Sequence, residues 1–202
     1  MIKRSDFLRI GVFYDGTYFV RAQNFFYGKK FGWLSFKELH HLLEDYLSKK
    51  EQNFSDHKVV YSAWFQGLFK SSQATEDNLR LDRKRHHDLL HAGVEPKNTP
   101  MSETHGEKGI DVYMALETLQ TALDGKVDLA ILVTGDGDFV PLVRSLLKHG
   151  VKVMILYFKY EEQDNKSYAS ERLINCSNYS LNFNDLESDK EFKTRFKSVL
   201  ER

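Results

Sequence analysis

Two aspartates separated by one glycine, Asp136 and Asp138, follow a short apolar run in the sequence. That run, Asp128–Val133, is rich in β-branched and aliphatic residues, which predicts a buried strand. The two carboxylates therefore follow the end of a strand and precede the helical apolar pattern that begins at Phe139. In an open α/β sheet, ligands bind in the crevice at the carboxyl ends of the strands. Two carboxylates in such a crevice indicate a bound cation.

Two more aspartates are expected at the same edge. Asp15 ends the strand predicted over Ile10–Tyr14, and in a doubly wound sheet the first strand lies beside the strand that begins the second half. Asp111 lies in the first turn of a helix predicted over Ile110–Leu123, whose amino end points to this edge if the connection is right-handed. Carboxylates this close together repel one another unless a cation neutralises them.

The type of cation indicates a type of reaction. Mg²⁺ and Mn²⁺ suit all-oxygen sites, keep several waters and commonly complete their shell with substrate phosphate. Such an ion lowers the pKa of a bound water and stabilises a displacement at phosphorus. The chemistry that these carboxylates predict is therefore hydrolysis of a phosphodiester by a metal-activated water.

The same aspartates have a purely structural interpretation, which the spacing leaves open. Asp111 and Asp138 could each stabilise the N-terminus of a helix, and Asp15-Gly16 could form a turn. Two other motif interpretations fail. A haloacid-dehalogenase-type phosphatase needs a nucleophilic aspartate where this chain has Phe13, and an EF-hand needs further acidic ligands that the spacing lacks.

Strands alternate with helices along the chain, which predicts an α/β fold with a mostly parallel sheet covered on both faces. The predicted strands are Ile10–Tyr14, Lys58–Phe65, Val94–Lys97, Asp128–Val133, Val151–Phe158 and Tyr179–Phe183. The predicted helices are Thr17–Tyr27, one capped by Ser35, Gln73–Ala92, Ile110–Leu123, Phe139–Lys148, Tyr168–Ile174 and Asp185–Arg202. Residues 98–107 and 161–166 are predicted loops. We expect one domain over residues 1–184 and a C-terminal helical extension over 185–202.

Composition excludes several classes of protein. Apolar residues make up 41% and charged residues 29% of the 202 residues, which is typical of a globular domain and not of a disordered chain. The formal net charge is zero, so any nucleic-acid site must be local. Cys176 is the single cysteine, which excludes an intramolecular disulfide. No apolar run is long enough for a membrane span or a signal peptide, and a cytoplasmic location is expected.

Three segments of the chain together resemble a known family. They are Val12–Phe19, Lys108–Val112 and Thr134–Leu142, and they occur in the family's order across about residues 9–182. The pattern resembles the NYN domain, a member of the PIN-like nuclease superfamily, and is most similar to its LabA-like branch. The resemblance implies a three-layer α/β/α PIN-like (Rossmannoid) sandwich with a mostly parallel central sheet. It also implies a metal-dependent endoribonuclease that acts on single-stranded or structured RNA.

The resemblance assigns roles to individual residues. The residues matching the family's catalytic and metal-binding positions, for Mg²⁺ or Mn²⁺, are Asp15, Asp111, Asp136 and Asp138. The candidates for substrate binding are Thr17, Arg21, Lys108, Thr134 and Arg144. The chain departs from the family at Thr17, where asparagine is usual, and near Ser177-Asn178, where a late aspartate is common. These departures leave open a non-catalytic or weakly active RNA-binding module, and the sequence also leaves a homodimer open.

Three lesser signals favour structural roles. The basic run Arg83–His87 on a predicted helix could follow an RNA backbone, but the aspartates around it favour a solvated helix face. His87 and His91 have the spacing of zinc ligands on a helix but lack a third ligand. The aromatic residues Phe25, Phe26, Tyr27, Phe31 and Trp33 could stack on bases, although core packing or a partner interface is favoured.

Overall fold

The computed structural model describes residues 7–68, 75–100, 109–162 and 165–201. Its strands are Phe7–Asp15 (β1), Trp33–Leu34 (β2), Asp56–Leu68 (β3), Glu95–Pro100 (β4), Leu129–Val133 (β5), Lys152–Tyr157 (β6), Tyr160–Glu162 (β7), Asn165–Ser167 (β8), Tyr179–Asn182 (β9) and Leu200–Glu201 (β10). Its α-helices are Gly16–Gly28 (α1), Phe36–Lys50 (α2), Glu76–His91 (α3), Ile110–Leu123 (α4), Val140–Lys148 (α5), Glu171–Cys176 (α6) and Lys193–Val199 (α7). Two 3-10 helices cover Gly137–Phe139 and Phe183–Glu187.

The central sheet has six strands in the order β4-β3-β1-β5-β6-β9, and every neighbouring pair is parallel. Strands β1 and β5 lie side by side, with Ile10 opposite Leu129 and Tyr14 opposite Val133. The strand order reverses between these two strands, so the crevice expected at a switch point opens at their carboxyl ends. The predicted neighbourhood of the first strand and the strand before Asp136 is therefore confirmed.

Both faces of the sheet are buried. Alternate residues of β1, such as Ile10 and Val12, face one apolar layer, to which α1, α2 and α7 contribute. Phe13 and the alternate residues of β5 and β6 face a second layer, to which α4, α5 and α6 contribute. This burial on both sides explains why the central strands are continuous apolar runs in the sequence and do not alternate with polar residues. The three-layer α/β/α PIN-like sandwich is thus confirmed.

Local signals explain where several helices begin. The hydroxyl of Ser35 accepts a hydrogen bond from the Glu38 amide at 3.4 Å, so the predicted cap of α2 is confirmed. Gly109, at the start of α4, has a φ of +78°, a conformation that glycine adopts without the steric penalty of a Cβ atom. Pro141 occupies the first turn of α5, where its missing N–H costs no helical hydrogen bond.

Two secondary-structure predictions near the C-terminus are wrong. The predicted loop over 161–166 forms part of an antiparallel hairpin of β7 and β8. Tyr160 anchors this hairpin, because its ring stacks on Phe25 with 4.1 Å between the ring centroids. The helix predicted over Asp185–Arg202 is limited to α7.

The last residues of the chain pack into the core. Phe192 and Phe196 are buried in the same apolar layer as β1, and β10 pairs with β2. Burial of these rings sets the path of the segment, whereas their spacing alone resembles one long helix. Among the residues that the structure describes, no helix is long and apolar enough to cross a membrane.

Candidate active site

A buried threonine connects two of the predicted metal ligands. Asp15 is the last residue of β1, and Thr134 directly follows β5. The Thr134 hydroxyl donates a hydrogen bond to Asp15 Oδ2 at 3.1 Å and accepts one from the Asp136 amide at 3.2 Å. Thr134 is fully buried, so no water competes for this hydroxyl. It therefore holds two acidic residues, 121 positions apart in sequence, at one point of the sheet edge.

Asp15 and Asp136 also begin helices. Asp15 Oδ1 accepts a hydrogen bond from the Tyr18 amide at 3.0 Å and caps α1. Asp136 Oδ1 accepts one from the Asp138 amide at 2.9 Å and caps the 3-10 helix that precedes α5. The capping interpretation is thus partly confirmed, although Asp136 forms the cap in place of the predicted Asp138. The N-terminus of a helix favours negative charge, including that of phosphate.

Capping leaves acceptor capacity in the crevice. An ionised carboxylate offers about four lone-pair sites, so one hydrogen bond does not saturate it. Asp136 and Asp138 are both exposed. Asp136 Oδ2 and the whole Asp138 carboxylate make no hydrogen bond or ion pair with any residue that the structure describes. These oxygens are therefore available to a ligand from solvent.

These carboxylates suit a hard cation that keeps part of its water shell, and not a cation that is coordinated entirely by protein side chains. Over 7–68, 75–100, 109–162 and 165–201, no three acidic, histidine or cysteine side chains are grouped closely enough to hold a metal ion. Mg²⁺ is commonly held by one or two carboxylates, with waters and substrate phosphate completing its shell. Asp111 is exposed in the first turn of α4. Convergence of all four aspartates remains a prediction.

Three glycines keep the chain close-packed around these carboxylates. A Cβ atom on Gly135 would lie 2.3 Å from the carbonyl oxygen of Tyr168, and one on Gly16 would lie 2.6 Å from that of Phe65. A Cβ on Gly137 would meet only the Ser170 side chain, at 2.9 Å from its Oγ. The glycine spacing of the Thr-Gly-Asp-Gly-Asp segment is therefore a packing requirement as well as a loop signal.

The remaining predicted substrate-binding residues are scattered. Thr17 lies in the first turn of α1, and Arg21 is exposed one turn further along. Arg144 is exposed on α5. Its positive charge acts on the Cys176 thiol at the end of α6: burial raises the pKa of this thiol, and the charge of Arg144 partly opposes that increase. Lys108 lies outside the described residues.

The departure near Ser177-Asn178 lies at the opposite edge of the sheet. Asn178 Oδ1 accepts a hydrogen bond from the Val153 amide at 2.7 Å, at the amino end of β6. Asp15 and Asp136 lie at the carboxyl ends of their strands. Asn178 is thus a structural residue that joins β6 to the start of β9, at the opposite edge of the sheet from Asp15 and Asp136.

Sequence reasoning missed two residues that support the crevice. The Tyr18 hydroxyl accepts a hydrogen bond from the Phe158 amide at 2.9 Å, and burial raises the pKa of this hydroxyl. The Ser170 amide donates to the Gly135 carbonyl at 2.9 Å. Both bonds connect the acidic loop and α1 to distant parts of the chain, which no local sequence pattern reveals.

The fold and this acidic edge define an α/β/α sandwich of the PIN-like class. The family model of the NYN domain matches residues 9–182, and the chain belongs to the NYN domain family, which is part of the PIN-like nuclease superfamily. The chain is similar to a crystal structure of a protein of unknown function from Vibrio parahaemolyticus RIMD 2210633. That similarity has a TM-score of 0.57 and 22% identity, and covers 90% of this chain and 96% of the other. It concerns the fold alone. No curated protein matches the chain.

Proposed function

We propose that the protein is a metal-dependent endoribonuclease that hydrolyses RNA phosphodiester bonds with Mg²⁺ or Mn²⁺. The observation that carries the proposal is the hydrogen-bonded unit of Asp15, Thr134 and Asp136 at the switch point of the parallel sheet. Nucleases of the NYN family act on RNA, and a phosphodiester is the substrate that suits carboxylates placed beside two helix N-termini.

The side chains of the crevice would have different roles in this reaction. Asp15, Asp136 and Asp138, with Asp111 from α4, would hold the ion. A bound Mg²⁺ or Mn²⁺ would supply an activated water and stabilise charge at phosphorus. The Thr134 hydroxyl keeps two of the carboxylates in place, and the N-termini of α1 and of the 3-10 helix favour the phosphate. No side chain needs to form a covalent bond with the substrate.

A cleavage assay tests this proposal. Purified protein is incubated with Mn²⁺ and either a single-stranded or a structured RNA, with DNA of the same sequence as comparison. Asp136→Asn keeps the oxygen that accepts from the Asp138 amide but removes the charge. We expect the variant to lose cleavage by about a hundredfold or more, the loss expected when a residue central to catalysis is replaced.

Asp189→Asn is the matched control. Asp189 is exposed and its Oδ1 accepts a hydrogen bond from the Glu191 amide at 2.7 Å, so the same change removes the same charge from a similar cap. It should cleave at the wild-type rate. Equal rates for wild type and Asp136→Asn would show that the activity is a contaminant or that the site is wrong.

The second candidate is an RNA-binding module of the same fold that does not cleave. The lack of a group of three metal-ligand side chains within the described residues favours it. The same assay separates the two. RNA that is retained in a binding measurement but stays intact with Mn²⁺ would support the module and contradict the nuclease.

A further inference from the structure

The segment between β8 and α6 lies against the loop that carries Asp136. The Ser170 amide donates a hydrogen bond to the Gly135 carbonyl at 2.9 Å. The Tyr168 carbonyl oxygen lies so close to Gly135 that a Cβ atom on this glycine would be only 2.3 Å away from it. Gly135 directly precedes Asp136 in the sequence. Residues 168–170, which we call the rim segment, therefore border the candidate active site.

The backbone of the rim segment is held in place by its neighbours. Ala169 is buried, and the side chain of Leu173 in α6 is fully buried in the second apolar layer. The Leu173 amide also donates a hydrogen bond to the Ser170 carbonyl at 3.0 Å. A side chain on this backbone has a fixed point of attachment, so less conformational freedom is lost when it binds a ligand.

Tyr168 has the most exposed large apolar side chain in the described part of the chain, with 70% of its surface in solvent. Among the same residues, its ring packs on no other aromatic ring and its hydroxyl makes no hydrogen bond. Single exposed apolar residues are ordinary on protein surfaces. An aromatic ring attached beside Asp136 is different, because a phosphodiester bound at that carboxylate has a base on either side of it.

One cation close to the rim segment in sequence, Arg172, is available to a ligand. It is exposed in the first turn of α6 and makes no hydrogen bond or ion pair with any residue that the structure describes. The first turn of a helix favours negative charge, so this position does not stabilise the cation. Lys166 is paired with Glu161, and Glu171 directly precedes Arg172. The surroundings of the rim segment therefore lack the excess of positive charge that would retain any polyanion.

We propose that the Tyr168 ring stacks on an unpaired base of the RNA strand that occupies the crevice, and that Arg172 contacts a neighbouring phosphate. This inference rests on the proposed function, and it restricts the substrate to single-stranded RNA or to unpaired loops. In an A-form duplex the bases stack on one another, whereas unpaired bases are free to stack on an aromatic side chain. Tyr168 is thus a positioning residue that selects unpaired RNA.

Binding measured without cleavage tests the proposal. The whole protein is kept in EDTA, which withholds the metal ion that cleavage requires. It is titrated into a fluorescently labelled oligouridylate and, separately, into a labelled RNA duplex of the same length, and the fluorescence anisotropy is followed. Oligouridylate has no complementary bases and stays single-stranded. We expect saturable binding to oligouridylate and weaker binding to the duplex.

Substitutions of Tyr168 separate stacking from a structural role. Tyr168→Ala should weaken oligouridylate binding by about five- to a hundredfold, the range expected for the loss of one base–aromatic stack. It should leave duplex binding and the melting temperature unchanged, because the ring is mostly in solvent. Tyr168→Phe retains the ring and should bind as wild type does. The matched control is Tyr27→Ala, which should also bind as wild type does: Tyr27 is 57% exposed but lies in the last turn of α1, roughly 16 Å along the helix axis from Gly16.

A substitution of Arg172 separates charge from stacking. Arg172→Gln should weaken oligouridylate binding and reduce the slope of log affinity against log salt by about one, because one phosphate contact is lost. Tyr168→Ala should leave this slope unchanged, since a stacked base releases no counterion.

Several results would overturn this proposal. They are the absence of saturable oligouridylate binding, equal affinity of Tyr168→Ala and wild type, an equal loss in Tyr27→Ala, or tighter binding of the duplex than of oligouridylate. The outcome is separable from that of the nuclease proposal. Binding that depends on Tyr168, without cleavage in Mn²⁺, would contradict only the nuclease, whereas cleavage by a protein whose RNA affinity is unaffected by Tyr168→Ala would contradict only the stacking role.

Discussion

Replacing Thr134 with valine tests the connection between the two strand ends. Valine has nearly the shape of threonine but no hydroxyl, so Asp15 Oδ2 and the Asp136 amide would each lose a hydrogen bond. A hydrogen bond to a charged group is worth about 1.5–3 kcal/mol, and Asp15 is only partly buried, so water recovers part of the loss. We expect the free energy of unfolding to fall by about 2 kcal/mol, which corresponds to about 4–8 °C in melting temperature for a chain of this size.

The same substitution should affect activity more than stability. Residues that orient metal ligands typically contribute about 10–100-fold to metal affinity or activity. RNA cleavage by Thr134→Val should therefore fall by about this factor under conditions where the variant is folded, and additional Mn²⁺ should recover part of the rate.

Two other threonine substitutions provide controls. Thr134→Ser retains the hydroxyl and should retain most of the activity. Thr118→Val removes an equally buried hydroxyl, which donates to the Met114 carbonyl at 2.7 Å within α4, and should leave cleavage unchanged. The reasoning is refuted if Thr134→Val cleaves RNA at the wild-type rate, or if Thr118→Val loses as much activity as Thr134→Val.

Three further predictions concern packing, pH and RNA affinity. Gly135→Ala places a Cβ atom 2.3 Å from the Tyr168 carbonyl oxygen and should cost about 1–3 kcal/mol in denaturant unfolding, more than Gly137→Ala, which meets only the Ser170 side chain. Glu51 is buried and receives hydrogen bonds from Lys152 and Tyr179; burial would raise its pKa, but these bonds hold it below its ordinary value of 4.5. The stability that ionised Glu51 contributes is therefore fully present above a pH of about 4.5 and is lost as the pH falls through the lower pKa of the folded state. At pH 7 the free energy of unfolding of Glu51→Gln should be about 2–3 kcal/mol below that of wild type, and this difference should become smaller in unfolding curves measured at acid pH. Arg21→Ala should weaken RNA binding and reduce the slope of log affinity against log salt by about one, and an unchanged slope would remove Arg21 from the interface.

The centre of the fold was predictable because local and global signals agree there. The apolar runs before Asp15 and before Thr134 are buried on both faces of the sheet, so their continuous apolar sequence is enough to identify them as parallel strands. The strand-order rule for doubly wound sheets then placed Asp15 and Asp136 at one edge.

Features that depend on distant packing were not predictable. The hairpin of β7 and β8 depends on the stacking of Tyr160 on Phe25, which are 135 residues apart in sequence. The spacing of Phe192, Phe196 and Leu200 indicated one helix, whereas burial of these side chains divides the segment into α7 and β10.

The hydrogen bonds that hold the candidate site in place were equally unpredictable from the sequence. The roles of Thr134, Tyr18 and Ser170 lie in hydrogen bonds across the fold. The structural role of Asn178 was not predictable, because the sequence does not reveal at which edge of the sheet a late residue lies, and this residue lies at the amino end of β6.

The most direct test of the proposed metal centre is anomalous diffraction from crystals soaked in Mn²⁺. The account predicts an anomalous peak at about 2.0–2.2 Å from carboxylate oxygens of Asp15 and Asp136 or Asp138, which is reduced or lost in Asp136→Asn crystals treated in the same way. Ordered Mn²⁺ elsewhere in the crystal, with no peak between these carboxylates, would contradict it.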